Sequence, residues 1–182
     1  IFLAQHYGIP TRLLDWSEGA LFGLFFAINQ RRPSPMVYML NPHVLNSLAF
    51  GSDPDYLNFP ISWSPSPDNP KPGYENIALA WELRDARRGF DLPVALEPTY
   101  QDMRMIAQRS AFTVHGKNLG SISAILEAKN ITVSNCLYSY EIDEASIDNI
   151  LYELSCLGIT HASIFPDLDH LCKDIARIAR NP

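Results

Sequence analysis

Residues Ala20 to Ile28 (ALFGLFFAI) carry no polar side chain. The run just ahead of them, Ala4 to Ser17 (AQHYGIPTRLLDWS), crowds an imidazole, a guanidinium, a carboxylate and two aromatic rings around Gly8 and Pro10. A helix apolar on nearly every side must lie between other layers. Polar groups tethered so closely to such an element are held in place, as a binding or catalytic site requires. The spacing predicts a helix through Leu21, Leu24, Phe25 and Ile28, with Phe22 and Phe26 covering much of its other side. Asp15 or Ser17 is the expected cap, because Asp15 and Glu18 stand at the offset of a capping box and favour the positive end of the helix dipole.

Downstream, Met36 to Leu40 (MVYML) reads as a short strand, and Asn41 with Pro42 as the start of a helical turn. Six prolines between Pro54 and Pro72, mixed with Ser, Asp and Asn, predict a long surface loop over residues 51–73 with no regular interior element. Ile77, Ala80 and Trp81 recur at helical spacing, and Pro93 to Glu97 has strand character. Tyr100 to Gln108 is either a helical turn or a loop. Phe112 and Val114 alternate with Thr113 and His115 as in a half-buried strand, and Asn135 to Ile142 alternates likewise. Asp143 opens a helix carrying Ile147, Ile150, Leu151 and Leu154, which Gly158 suits as a left-handed stop. A closing helix is expected from Pro166, with Leu168, Leu171, Ile175 and Ile178 on one stripe. Strands and helices mix without regular βαβ alternation, so the expected fold is α+β, with a mixed, mainly antiparallel sheet packed against helices.

The chain has 182 residues, 47% of them hydrophobic, enough for one well-formed core and a single domain over residues 1–182. A net charge of −6 argues against a nucleic-acid backbone binder. Arg84, Arg87 and Arg88 form the one basic cluster, spaced as a solvated helix face. Cys136, Cys156 and Cys172 are too few and too scattered for a disulfide framework, so they read as reduced core thiols of a cytoplasmic protein. No apolar run reaches the roughly 18 to 20 residues of a membrane span. The chain opens on Ile1 within an apolar segment, so natural sequence is expected upstream.

Arg12 and Asp15 carry the first candidate chemistry. They either form a local ion pair that locks the turn or, with the free N–H groups of the next helix, hold a phosphate or carboxylate. The two readings combine where Asp15 orients the guanidinium. Gln5, His6, Tyr7 and Trp16 surround that pair as further ligand contacts, although a lone His is commonly structural and Trp16 suits a core. Arg104, Gln108 and Thr113 form the second constellation, in MRMIAQRSAFTVH. Gln108 at a strand mouth can bind a sugar hydroxyl or an amide, but no useful pKa lets it act as a general base. His115, His161 and His170 lack metal-ligand spacing, and no GxSxG elbow, P-loop or dinucleotide fingerprint is present, so no metal is expected.

With these residues in view, the chain resembles the FRG domain family of mostly bacterial proteins. AQHYGIPTRLLDWS with its helix, MRMIAQRSAFTVHG and LGITHASIFPDLDHL carry the resemblance. Ser110 stands where family members tend to have Gly. The Phe-Arg-Gly motif that names the family lies upstream of the first block and has no counterpart here. The motif order is also similar, more distantly, to that of ADP-ribosyltransferases, with Gln108 in the place of their carboxylate. That similarity implies a pocket for NAD or a related nucleotide, lined by Arg12, Asp15 and Gln108, with Gln108 and Asp15 at the reacting centre, in a bacterial toxin or antiphage system. A non-catalytic sensing or protein-interaction module, in which the Pro-rich loop presents a partner surface, is the alternative.

Overall fold

The computed structural model describes residues 9–50, 61–62, 92–98, 100, 103–116, 118–167, 172, 175, 176 and 179. Gln5, His6 and Tyr7, most of the Pro-rich segment, the helix expected around Trp81, the Arg84 cluster and His170 lie outside them. In chain order the elements are β1 (Leu13–Ser17), α1 (Ala20–Ile28), β2 (Met36–Leu40), α2 (Pro42–Phe50), β3 (Ile61–Ser62), β4 (Val94–Glu97), α3 (Met103–Ala107), β5 (Ser110–Val114), α4 (Ile122–Ala128), β6 (Leu137–Glu141), α5 (Ile147–Cys156) and α6 (His161–Ile164). Four strands form one sheet in the order β1-β5-β4-β3, and β2 pairs with β6 in a second. β4 runs antiparallel to β5 and parallel to β3. Hydrogen bonds from His115 N–H to the Arg12 carbonyl and from Glu18 N–H to the Arg109 carbonyl make β1 and β5 antiparallel as well. The fold is α+β.

Two compact units emerge. The first comprises Ile1–Trp16, Leu40–Thr99 and Ala111–Tyr138, and the second Ser17–Met39, Tyr100–Ser110 and Ser139–Pro182. The first unit centres on Leu45, Leu92, Ala95, Ile122, Ile125, Leu126, Cys136 and Leu137. Asn46, 1% exposed, belongs to it too: its side chain donates to the Ala95 carbonyl (3.1 Å) and accepts from the Ala95 N–H (2.7 Å). The edge strand β3 pairs with Leu96 and Glu97 but stops short of Ala95, so Asn46 supplies there the hydrogen bonds a longer strand would have made. Ser121 caps α4 by accepting the Ala124 N–H.

In the second unit α1 packs against α5, and Phe25, Ile28, Ile147, Leu154 and Ile164 form the core. Asp143 accepts the Ala145 N–H at the head of the turn leading into α5. At the far end Gly158, with φ +80°, closes α5: Ile159 N–H reaches the Leu154 carbonyl and Gly158 N–H the Ser155 carbonyl, the two bonds of a Schellman stop.

Several local expectations are corrected. Asp15 and Ser17 do not cap α1, because the backbone ahead of it is drawn into the β1–β5 ladder. The cap is Gly19, extended and without a side-chain bond, where a Cβ would meet the Phe22 ring at 2.4 Å. α1 is one-sided rather than apolar-buried all round: Phe25 and Ile28 are buried while Leu21 and Phe26 are exposed. The Pro-rich segment does contain a regular element, since Ile61 and Ser62 form the edge strand β3. β5 is not half-buried, for Thr113 is as enclosed as Phe112 and Val114. β6 buries Leu137 alone, leaving Tyr138 and Tyr140 exposed. Of the three thiols, Cys136 is a core residue and Cys156 and Cys172 are exposed. A helical turn, α6, opened by a Thr160–Ser163 capping box, precedes Pro166, and beyond it Cys172, Ile175, Ala176 and Ala179 are helical, as expected of the closing helix.

Candidate functional site

Arg12, Asp15, Trp16 and Thr113 lie in the first unit, Arg104 and Gln108 in the second. In the first, the Trp16 indole N–H donates to the Thr113 hydroxyl at 3.1 Å, so each satisfies the other. The Arg12 guanidinium donates to the Gly116 carbonyl. His115 stands between these groups, and burial holds its imidazole pKa below the ordinary value despite opposing hydrogen bonds to the Arg12 and Gly120 backbones. Asp15 is exposed in β1. These are largely structural bonds that staple the start of β1 to the end of β5.

The second unit holds a different arrangement. α3 is a short helix whose Arg104 guanidinium lies 5.0 Å from the centroid of the Phe165 ring, a cation–π contact. Phe165 follows α6 directly, and α3 packs on α6. Phe26 meets Phe165 edge to face at 6.0 Å, while His161 meets Phe25 edge to face at 5.1 Å and stacks on Phe165 at 6.2 Å. The aromatic group is built from α1 and α6, because ALFGLFFAI presents Phe25 and Phe26 on adjoining faces and His161 and Phe165 are one helical turn apart.

Gln108 ends α3, its N–H donating to the Arg104 carbonyl at 2.9 Å. Arg109 then takes a left-handed conformation (φ +47°) that turns the chain into β5. The position with positive φ is 109, and Ser110 is already in the strand. The Gln108 carbonyl accepts from the Ser17 hydroxyl at 2.8 Å, which fixes the backbone beneath its side chain. Its Nε2 is buried and makes no hydrogen bond. A buried amide donor left unsatisfied costs about 1–3 kcal/mol, and native proteins rarely retain one without cause.

The structure therefore brings Arg104 and Gln108 together on successive turns, beside an aromatic group that includes residues not singled out from the sequence as site residues. His161 and Phe165 were legible only as part of LGITHASIFPDLDHL, whose spacing by itself reads as a helix end. Among the described residues no group of three His, Cys, Asp or Glu side chains gathers to hold a metal ion. No helix among them is long and apolar enough to cross a membrane.

Comparison with known proteins finds a likeness at the start of the chain only. The family model of the FRG domain matches residues 1–35, a stretch that takes in β1 and α1. No curated protein matches the chain. No solved structure matches it either, and nothing in these comparisons supports the expected similarity to ADP-ribosyltransferases.

Proposed function

We propose that this chain binds a nucleotide of the NAD type, and that Arg104 and Gln108 of the second unit make the contacts that select it. The observation that carries the reading is the buried, unsatisfied Nε2 of Gln108, one helical turn along the chain from an arginine whose guanidinium lies over an aromatic ring. An amide donor of this kind suits a neutral oxygen, such as a sugar hydroxyl or a carboxamide, and a planar guanidinium suits a phosphate. In an ADP-ribosyl transfer Gln108 would orient the ribose but could take no proton. Binding is therefore the primary activity proposed, with the toxin or antiphage setting implied by the FRG resemblance as its context.

Isothermal calorimetry with NAD and ADP-ribose tests this directly. Saturable heat at micromolar to millimolar ligand is the expected result; silence up to several millimolar of both would end the reading. A second reading has its own support. Met39 and Tyr140 of the β2–β6 pair share one face of it and are each about half exposed, as on a surface that docks a protein partner. Serine at Met39 and Tyr140 would then abolish partner capture and leave nucleotide heats unchanged.

A further inference from the structure

We infer that Arg104, Gln108 and the Phe165 ring form a subsite for the pentose phosphate portion of the ligand, so that selection rests on the sugar phosphate and not on the base. The inference deepens the nucleotide reading and rests on it. Three features of the second unit lead there. Arg104 is exposed and has no ion pair with a described carboxylate, and its guanidinium carbon lies 5.0 Å from the centroid of the Phe165 ring. Its fork of N–H donors has a geometry that matches a phosphate. An exposed guanidinium is a point to which an anion is drawn even in a chain of net charge −6.

Gln108 lies four residues on, joined to Arg104 by the helical hydrogen bond, so the two side chains leave the backbone on one face about 6 Å apart. That separation spans a phosphate and a ring hydroxyl of one phosphorylated pentose. It is too short to run from a phosphate to a distant base. Gln108 as a whole is only partly buried, so rotation of its outer torsions brings the unsatisfied amide to the surface. Phe26, exposed beside Phe165, supplies a ring against which the C–H face of a sugar packs.

The test is a ligand series titrated into the full chain by calorimetry: NAD, ADP-ribose, ribose 5-phosphate, inorganic phosphate, adenosine and nicotinamide. ADP-ribose and ribose 5-phosphate are expected to bind and to compete with NAD, whereas adenosine and nicotinamide give no heat. Arg104→Leu should weaken every phosphorylated ligand at least tenfold. Gln108→Met should weaken ribose 5-phosphate about tenfold while leaving inorganic phosphate unchanged. Gln108→Met also removes an amide that is unsatisfied in the free protein, so it should melt no lower than the parent, which separates lost binding from lost folding. Adenosine binding as tightly as ADP-ribose, or NAD affinity unchanged in Arg104→Leu, overturns the subsite and spares the nucleotide reading. Ribose 5-phosphate binding without NAD does the reverse. Binding of none of the six ends both.

Discussion

His115 shows how one buried ring sets a pH dependence. Its pKa lies below the ordinary imidazole value, chiefly because burial disfavours the charged form. Well above about pH 6.5 the ring is neutral in folded and unfolded chains alike. Below that, the unfolded chain takes up a proton that the folded one resists, so stability falls as the pH drops through the depressed pKa. We expect the loss of melting temperature between pH 7 and pH 5 to be smaller in His115→Gln; an identical pH profile would contradict the assignment. Cys136 follows the same logic with opposite sign. Burial raises its thiol pKa, so it stays protonated and unreactive. Alkylation by iodoacetamide at pH 8 should label Cys156 and Cys172 while Cys136 reacts only after unfolding, as mass spectrometry of the digested protein would reveal. Arg109, the left-handed residue beside Gln108, is the third case. Arg109→Gly should raise stability by about 0.5–1 kcal/mol in chemical denaturation, because glycine enters that region without a Cβ penalty. Such a φ value belongs to the path from α3 into β5 and leaves no mark in composition.

At the scale of elements, much of the reading rested on local signals and held. The strand Met36–Leu40, the strand at Val94–Glu97, the turn opened by Asp143 and the Gly158 stop all lie where short-range spacing put them. Hydrogen bonds among near neighbours build caps and stops, so sequence neighbours reveal them. The helix cap expected at Asp15 failed for the converse reason: residues 12–18 bond to residues 109–115, a partner far along the chain. Asn46 was likewise hidden, since nothing in PHVLNSLAF indicates that its amide completes β4. Asn46→Ala should cost about 2–3 kcal/mol in urea unfolding, because it strips both partners from a buried backbone N–H and carbonyl at Ala95. A cost below about 0.5 kcal/mol would mean water replaces it freely.

Among the described residues, two apolar cores share no residue, and each is assembled from separated stretches of chain. Leu126 is fully buried in the first and Leu154 is 2% exposed in the second. Truncating either to Ala should cost about 2–5 kcal/mol. The double variant should equal the sum within about 0.5 kcal/mol, since neither side chain shares a partner with the other. A larger departure in equilibrium denaturation would show that the cores are energetically coupled. By itself the sequence determined the α+β class and the identity of many elements, because propensity, period and capping act over a few positions. It also marked Arg104 and Gln108 as polar residues entering a strand. Tertiary structure alone decided that Phe165, sixty-one residues beyond Arg104, would lie against that guanidinium, and that the Gln108 amide would be enclosed without a partner. Such contacts depend on how distant segments are folded against one another, and no window of neighbouring residues contains that information.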